Sequence, residues 1–170
     1  QLKTIAASCM KIANDIRWLG SGPRTGFYEI SLPSVAPGSS IMPGKVNPVL
    51  CEMLTMVAAQ VMGNDVAINV GGMSGNFELN VYLPVMAHNL LQSTHILATG
   101  TRAFADKCVA GIEANVDICN ASVERNLAIC TSLAPAIGYD KAAAISKEAF
   151  KTDRTVREVA LDWDALPAAE

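Results

Sequence analysis

Leu2, Ile5, Ala6, Cys9, Ile12, Ala13, Ile16 and Leu19 recur at steps of three and four. That is the repeat of one helical face, and it predicts an amphipathic helix over about residues 2–19. Gly20-Ser21-Gly22-Pro23 stops it. Residues 21–47 show no periodicity and predict a long loop, a kind of segment that usually carries function or is disordered. From Pro48, the apolar positions Val49, Leu50, Met53, Leu54, Val57, Ala58, Val61 and Met62 predict a second helix reaching Val66 or beyond, punctuated by Gly71–Asn76. A third begins near Asn80 and runs through Leu90, Leu91, Ile96 and Leu97 to about Ala110. Pro84 fits only in its first turn or at a kink.

Around Asn115 the segments shorten and charges become more frequent: 116–132, 138–151 and 155–161. Thr155-Val156-Arg157-Glu158 is a capping box, and Asp140 is the expected N-cap of the helix before it. No alternating strand pattern of useful length is present, and no internal repeat. The expected fold is therefore all-α. A long-helix bundle segment occupies residues 1–116, and a small C-terminal helical domain occupies 117–170.

Composition changes that picture in one respect. Of the 170 residues, 51% are hydrophobic and only 17% charged, more apolar than a small monomer's surface accommodates. The expectation is that faces open in one chain are buried against others in an obligate oligomer. A net charge of −3, without a basic run, gives no footprint for nucleic acid. Leu79–Thr101 carries no Asp, Glu, Lys or Arg, but its asparagines, glutamine and histidines are too polar for a membrane span. It reads as the centre of a helical assembly. Cys9, Cys51, Cys108, Cys119 and Cys130 are widely spaced with no C-x-x-C pair, which predicts reduced, buried thiols in a cytoplasmic setting. Gln1 opens the chain inside a helical pattern, so a piece of a longer protein is expected.

Chemistry concentrates in Gly38-Ser39-Ser40-Ile41-Met42-Pro43-Gly44-Lys45-Val46-Asn47-Pro48. Its glycines and prolines exclude a regular helix or strand. Asn47 is the expected N-cap of the second helix and Pro48 its first residue. A polar loop aimed at a helix N-terminus suits an anion, because free N–H groups and the helix dipole both favour negative charge. Lys45 adds a full positive charge.

The stretch Gly38–Asn47 resembles the G-S-S-x-M-P-x-K-x-N signature of the fumarase/aspartase superfamily. Within it the chain is most similar to the class II fumarases. That similarity rests on Gly44 inside the signature, on Gly63–Asn69, and on Gly72-x-Ser74-Gly75-Asn76-Phe77-Glu78-Leu79-Asn80. The aspartate ammonia-lyases usually have alanine at the position of Gly44 and lack the last run. The resemblance implies reversible hydration of fumarate to L-malate by homotetramers with a central helical bundle. It implies sites at subunit junctions, no metal and no organic cofactor, no nucleic-acid or membrane partner, and a cytoplasmic location (mitochondrial matrix in a eukaryote). An aspartase, another fumarate-releasing lyase, and a non-catalytic oligomerisation module are the alternatives.

The same resemblance implies roles residue by residue. Ser39 matches the catalytic base and Ser40 a substrate contact, although residue type alone does not choose between the two hydroxyls. Lys45 and Asn47 match substrate ligands, with Val46 contributing backbone. Glu52 matches a glutamate that pairs with a catalytic histidine from elsewhere. That histidine lies upstream of Gln1, so the chain alone is expected to be inactive. His88 and His95 are expected as core or interface histidines, Arg17 and Arg24 as structural ion-pair partners, and the methionines mostly as core filler. Asn64, Asn69, Asn76 and Asn80 are candidates for hydrogen-bonded layers in the bundle.

Overall fold

The computed structural model describes residues 1–38 and 40–165. They form helices α1 (Leu2–Leu19), α2 (Val49–Met73), α3 (Leu83–Lys107), α4 (Val116–Arg125), α5 (Ala134–Ile137), α6 (Tyr139–Thr152) and α7 (Val156–Asp162). Two-residue strands β1 (Ile30–Ser31) and β2 (Glu113–Ala114) pair antiparallel, Ile30 opposite Ala114. The chain divides into two units, Gln1–Ala114 and a second from Asn115 onward.

In the first unit, α1, α2 and α3 pack on one another because each carries a stripe of small or branched residues. Near the start of α2, Ala13, Cys51, Leu54, Phe104 and Cys108 make one buried cluster, flanked by Cys9, Ile16, Leu32 and Leu50. Further along, Ala6, Ala58, Val61 and Leu97 make another. The three alanines are fully buried, and their small side chains let the helix axes approach closely. Between α2 and α3 sit two buried polar residues, Asn64 and Ser93. The Asn64 amide donates to Gln92 Oε1 at 2.9 Å and Ser93 Oγ at 3.0 Å, and its oxygen accepts from Gln60 Nε2 at 2.8 Å. With every partner supplied, the amide pins the register of α2 against α3. The expected asparagine layer is confined to this residue: Asn69 bonds back to Asp65 on its own helix, and Asn76 bridges to Leu79 across the turn.

Asn80 does different work. Its Nδ2 donates to the Gly71 carbonyl near the end of α2 at 3.0 Å, while its Oδ1 accepts from the Tyr82 N–H at 2.9 Å. That use of the side chain moves the start of α3 to Leu83, three residues past the expected point. Pro84 then falls in the first turn, where its missing N–H has no intrahelical partner to lose.

The second unit centres on Ile145, Ala149, Val156, Val159 and Ala160, with Leu127, Ile129, Cys130, Leu133 and Ile137 packed around them. Thr155 Oγ1 accepts from the Glu158 N–H at 3.2 Å, and the Glu158 carboxylate accepts from the Thr155 N–H at 2.8 Å. The capping box is present in full. The N-cap of α6 is Gly138 and not Asp140, which lies in the first turn and there complements the helix dipole.

Large apolar side chains stand open along both long helices: Met56, Val66, Val70 and Met73 on α2, and Leu83, Leu90 and Leu91 on α3. His88 and His95 are exposed on the same helix, so of the two settings expected for them, core or interface, the core of a single chain is not the one they occupy. Met56 and Met73 likewise face outward instead of filling core. No helix among the described residues is long and apolar enough to cross a membrane.

Candidate active site

The stretch before α2 folds into a loop closed at its neck. Gly38 N–H donates to the Lys45 carbonyl at 2.8 Å, and the Gly38 carbonyl accepts from Asn47 Nδ2 at 3.0 Å. A second, inner turn is made by the Lys45 N–H and the Met42 carbonyl, 3.3 Å apart. Gly38 is required here, since a Cβ would overlap the Lys45 carbonyl. Gly44 has φ +78, in the left-handed region that favours glycine.

These bonds correct the expected capping. Asn47 turns its side chain to the neck of the loop, where Nδ2 donates to Gly38; Pro48 takes the N-cap position with no side-chain cap and Val49 opens the helix. The first N–H groups of α2 thus face the loop without a side-chain acceptor from the cap, an arrangement that favours negative charge nearby.

Lys45 and Ser40 are exposed, Val46 is 54% exposed, and Asn47 is half-buried. Lys45, Val46 and Asn47 line a cleft of about 570 Å³, opposite Gly20, Tyr28, Ser31, Leu32 and Ser34. Ser40 and Glu52 lie outside its walls. Ser39 lies outside the described residues, as do residues 166–170 at the end of the expected C-terminal domain.

The far wall of the cleft comes from the aperiodic stretch that runs from the end of α1 through β1 to Ser34, where the sequence showed a long loop but not which of its residues face the cleft. Backbone bonds hold it: Tyr28 N–H to the Ser21 carbonyl at 2.7 Å, and Glu29 N–H to the Leu19 carbonyl at 3.0 Å. Tyr28 takes φ +48, and its hydroxyl accepts from Ser31 Oγ at 3.5 Å. A cluster of Gly, Ser and Pro is the only sequence signal for such a wall.

Glu52 sits in the first turn of α2, where its charge complements the helix dipole. Arg17, in the last turn of α1, donates from Nη2 to Glu52 Oε1 at 3.3 Å. The expectation of a structural ion pair at Arg17 thus has a named partner. Next to Glu52, the Cys51 thiol is fully buried and hydrogen-bonded to the free thiol of Cys108. Burial first, and then the neighbouring Cys108, push the Cys51 thiol up to about 12, so it stays protonated and is a poor nucleophile. Among the described residues no group of three or more His, Cys, Asp or Glu side chains is placed to hold a metal ion.

Residues 1–63 match the family described as Lyase, and residues 129–170 match the family described as Fumarase C C-terminus. The chain is 60% identical over 169 residues to the class II fumarate hydratase of Bordetella parapertussis, covering 99% of this chain and 36% of that protein. It is 56% identical over 169 residues to the class II fumarate hydratase of Thermosynechococcus vestitus, with the same coverage. Its fold superimposes on the crystal structure of the class II fumarase of Schistosoma mansoni with a TM-score of 0.92 at 42% identity, covering 99% of this chain and 35% of that one. The chain is thus similar to the class II fumarate hydratases over nearly all of its own length and spans about a third of the length of the relatives it matches.

Proposed function

We propose that this chain is part of an enzyme that adds water reversibly to fumarate, giving L-malate. The observation that carries the reading is the intact Gly38–Asn47 signature, in a chain whose curated relatives are named for that activity. Removing a proton beside a carboxylate builds charge on that carboxylate, so the site needs a base, fixed donors and an acid for the leaving hydroxide. In this reading Ser39 is the base. A serine hydroxyl serves only as a locally stabilised alkoxide, and the loop N–H groups, Lys45 and the N-terminus of α2 are the stabilisers at hand. Ser40, Lys45, Val46 and Asn47 hold the C4 dicarboxylate, with the Lys45 ammonium making a charge-assisted bond to one carboxylate. Glu52 orients and charges a histidine supplied by another part of the assembly.

The same proposal extends to assembly and place. The open apolar faces of α2 and α3 are buried in a homotetramer, with residues 1–116 contributing to its helical bundle and 117–170 forming a small C-terminal domain. The enzyme works in the cytoplasm or, in a eukaryote, the mitochondrial matrix, with no nucleic-acid or membrane partner and no metal or organic cofactor.

Changing Ser39 to alanine in the full-length enzyme tests the assignment of the base. Malate turnover, followed by the ultraviolet absorbance of fumarate, is expected to fall at least about 100-fold with the melting temperature little changed. Near-normal turnover contradicts the role.

A further inference from the structure

The geometry points to Arg17 as a positioning residue for the hydration reaction, acting through Glu52. This rests on the proposed role of Glu52. Two packed helices bring the pair together. Ala13 is buried against Cys51 and Leu54, and Ile16 packs on the same cluster. Arg17 follows Ala13 by four residues, one turn along the same face of α1, and Glu52 follows Cys51 directly. The backbone positions of both charges are thus set by the buried seam between α1 and α2.

The contact is one-sided in a useful way. Arg17 Nη2 meets Oε1 of Glu52 at 3.3 Å, and the Glu52 side chain keeps about a third of its surface exposed (34%). A carboxylate anchored by one oxygen presents the other in a fixed direction. That is what orienting an imidazole through its N–H requires, and outer partners of this kind set both the tautomer and the angle of a histidine ring. A flexible glutamate in the first turn of a helix has several rotamers of similar energy. The Arg17 guanidinium favours those that reach its Nη2.

An ordinary surface pair predicts something different. Partly exposed ion pairs contribute little to stability, and their loss leaves chemistry untouched. Kinetics therefore separates the two.

The test is a double-mutant cycle in the full-length enzyme: Arg17→Met, Glu52→Gln and both together, with Arg17→Lys as a fourth variant. Arg17→Met is expected to lower kcat for malate roughly 10-fold, with KM changed less than about 3-fold. The double variant is expected to lose no more than Glu52→Gln alone, because an action through Glu52 disappears with it. Arg17→Lys, which keeps the charge but not the planar fork, is expected to recover part of the loss. Multiplying losses in the double variant, or an unchanged kcat for Arg17→Met, overturns the proposal. If Arg17→Met fails to assemble, the cycle run with Arg17→Lys decides by the same criteria. If Glu52→Gln itself leaves kcat unchanged, the assigned role of Glu52 falls, and this inference falls with it. A loss at Glu52 without one at Arg17 refutes the positioning role alone.

Discussion

Gly38 and Asn47 close the neck of the loop on which the proposed substrate contacts lie. The Gly38 N–H and carbonyl are both engaged, by Lys45 and by the Asn47 side chain, so the neck is closed by one residue that cannot carry a Cβ. Replacing Gly38 by alanine forces the neck apart, at a cost of about 1–3 kcal/mol. Limited proteolysis within residues 38–47 is expected to run faster in that variant; an unchanged rate would show that the neck does not restrain the loop. The sequence pattern identified these residues but misread one of them. Asn before Pro reads as a helix cap, but the Gly38 carbonyl, a competing partner nine residues away, turns the Asn47 side chain toward the neck of the loop. Such competition is invisible to any rule built on neighbours.

At the scale of elements, the apolar periodicity located α1, α2 and α3, since each has a stripe that must be buried and Gly or Pro at its ends. Features missed by that reading depend on tertiary partners. The β1–β2 pair is two residues long and joins positions more than 80 apart, too short to leave an alternating pattern. The open faces of α2 and α3 carry large apolar residues outside the stripe buried within one chain, so periodicity alone does not say which face is buried. The capping box of α7 was legible because all its chemistry lies within four residues. Thr155→Ala removes the acceptor for the Glu158 N–H and is expected to destabilise the second unit by about 1 kcal/mol. The bonds from Thr155 to Glu158, and from Arg157 to Glu124, hold both carboxyls below the usual carboxylate range. A lowered folded value means that the stabilisation is complete above the unfolded value, near pH 4.3, and is lost as pH falls through the folded one. The melting temperature of the second unit is therefore expected to drop on acidification below about pH 4.3. In Thr155→Ala that acid dependence should be shallower. Equal slopes in the two proteins would show that the Thr155 hydroxyl does not contribute to it, since the Thr155 N–H still donates to Glu158 in the variant.

For the whole molecule, the high apolar content and the open helix faces have the same cause in the proposed assembly: surfaces destined for other subunits. The site residues follow the same logic. In the proposed site, Lys45, Val46 and Asn47 line one cleft, Glu52 lies outside its walls paired with Arg17, and the histidine that Glu52 would orient comes from elsewhere in the assembly. The 170-residue chain alone is therefore expected to show no malate turnover, and measurable fumarate formation by the purified chain would contradict that. The family was legible because ten contiguous residues carry so many fixed positions. The geometry of the loop was not, because its neck is closed by bonds between residues seven and nine apart. The most direct measurement gives the full-length protein malate, aspartate and argininosuccinate separately and follows fumarate by its ultraviolet absorbance. Fumarate from malate, with none from the other two, is the predicted result. Release of ammonia and fumarate from aspartate without malate turnover would contradict the account.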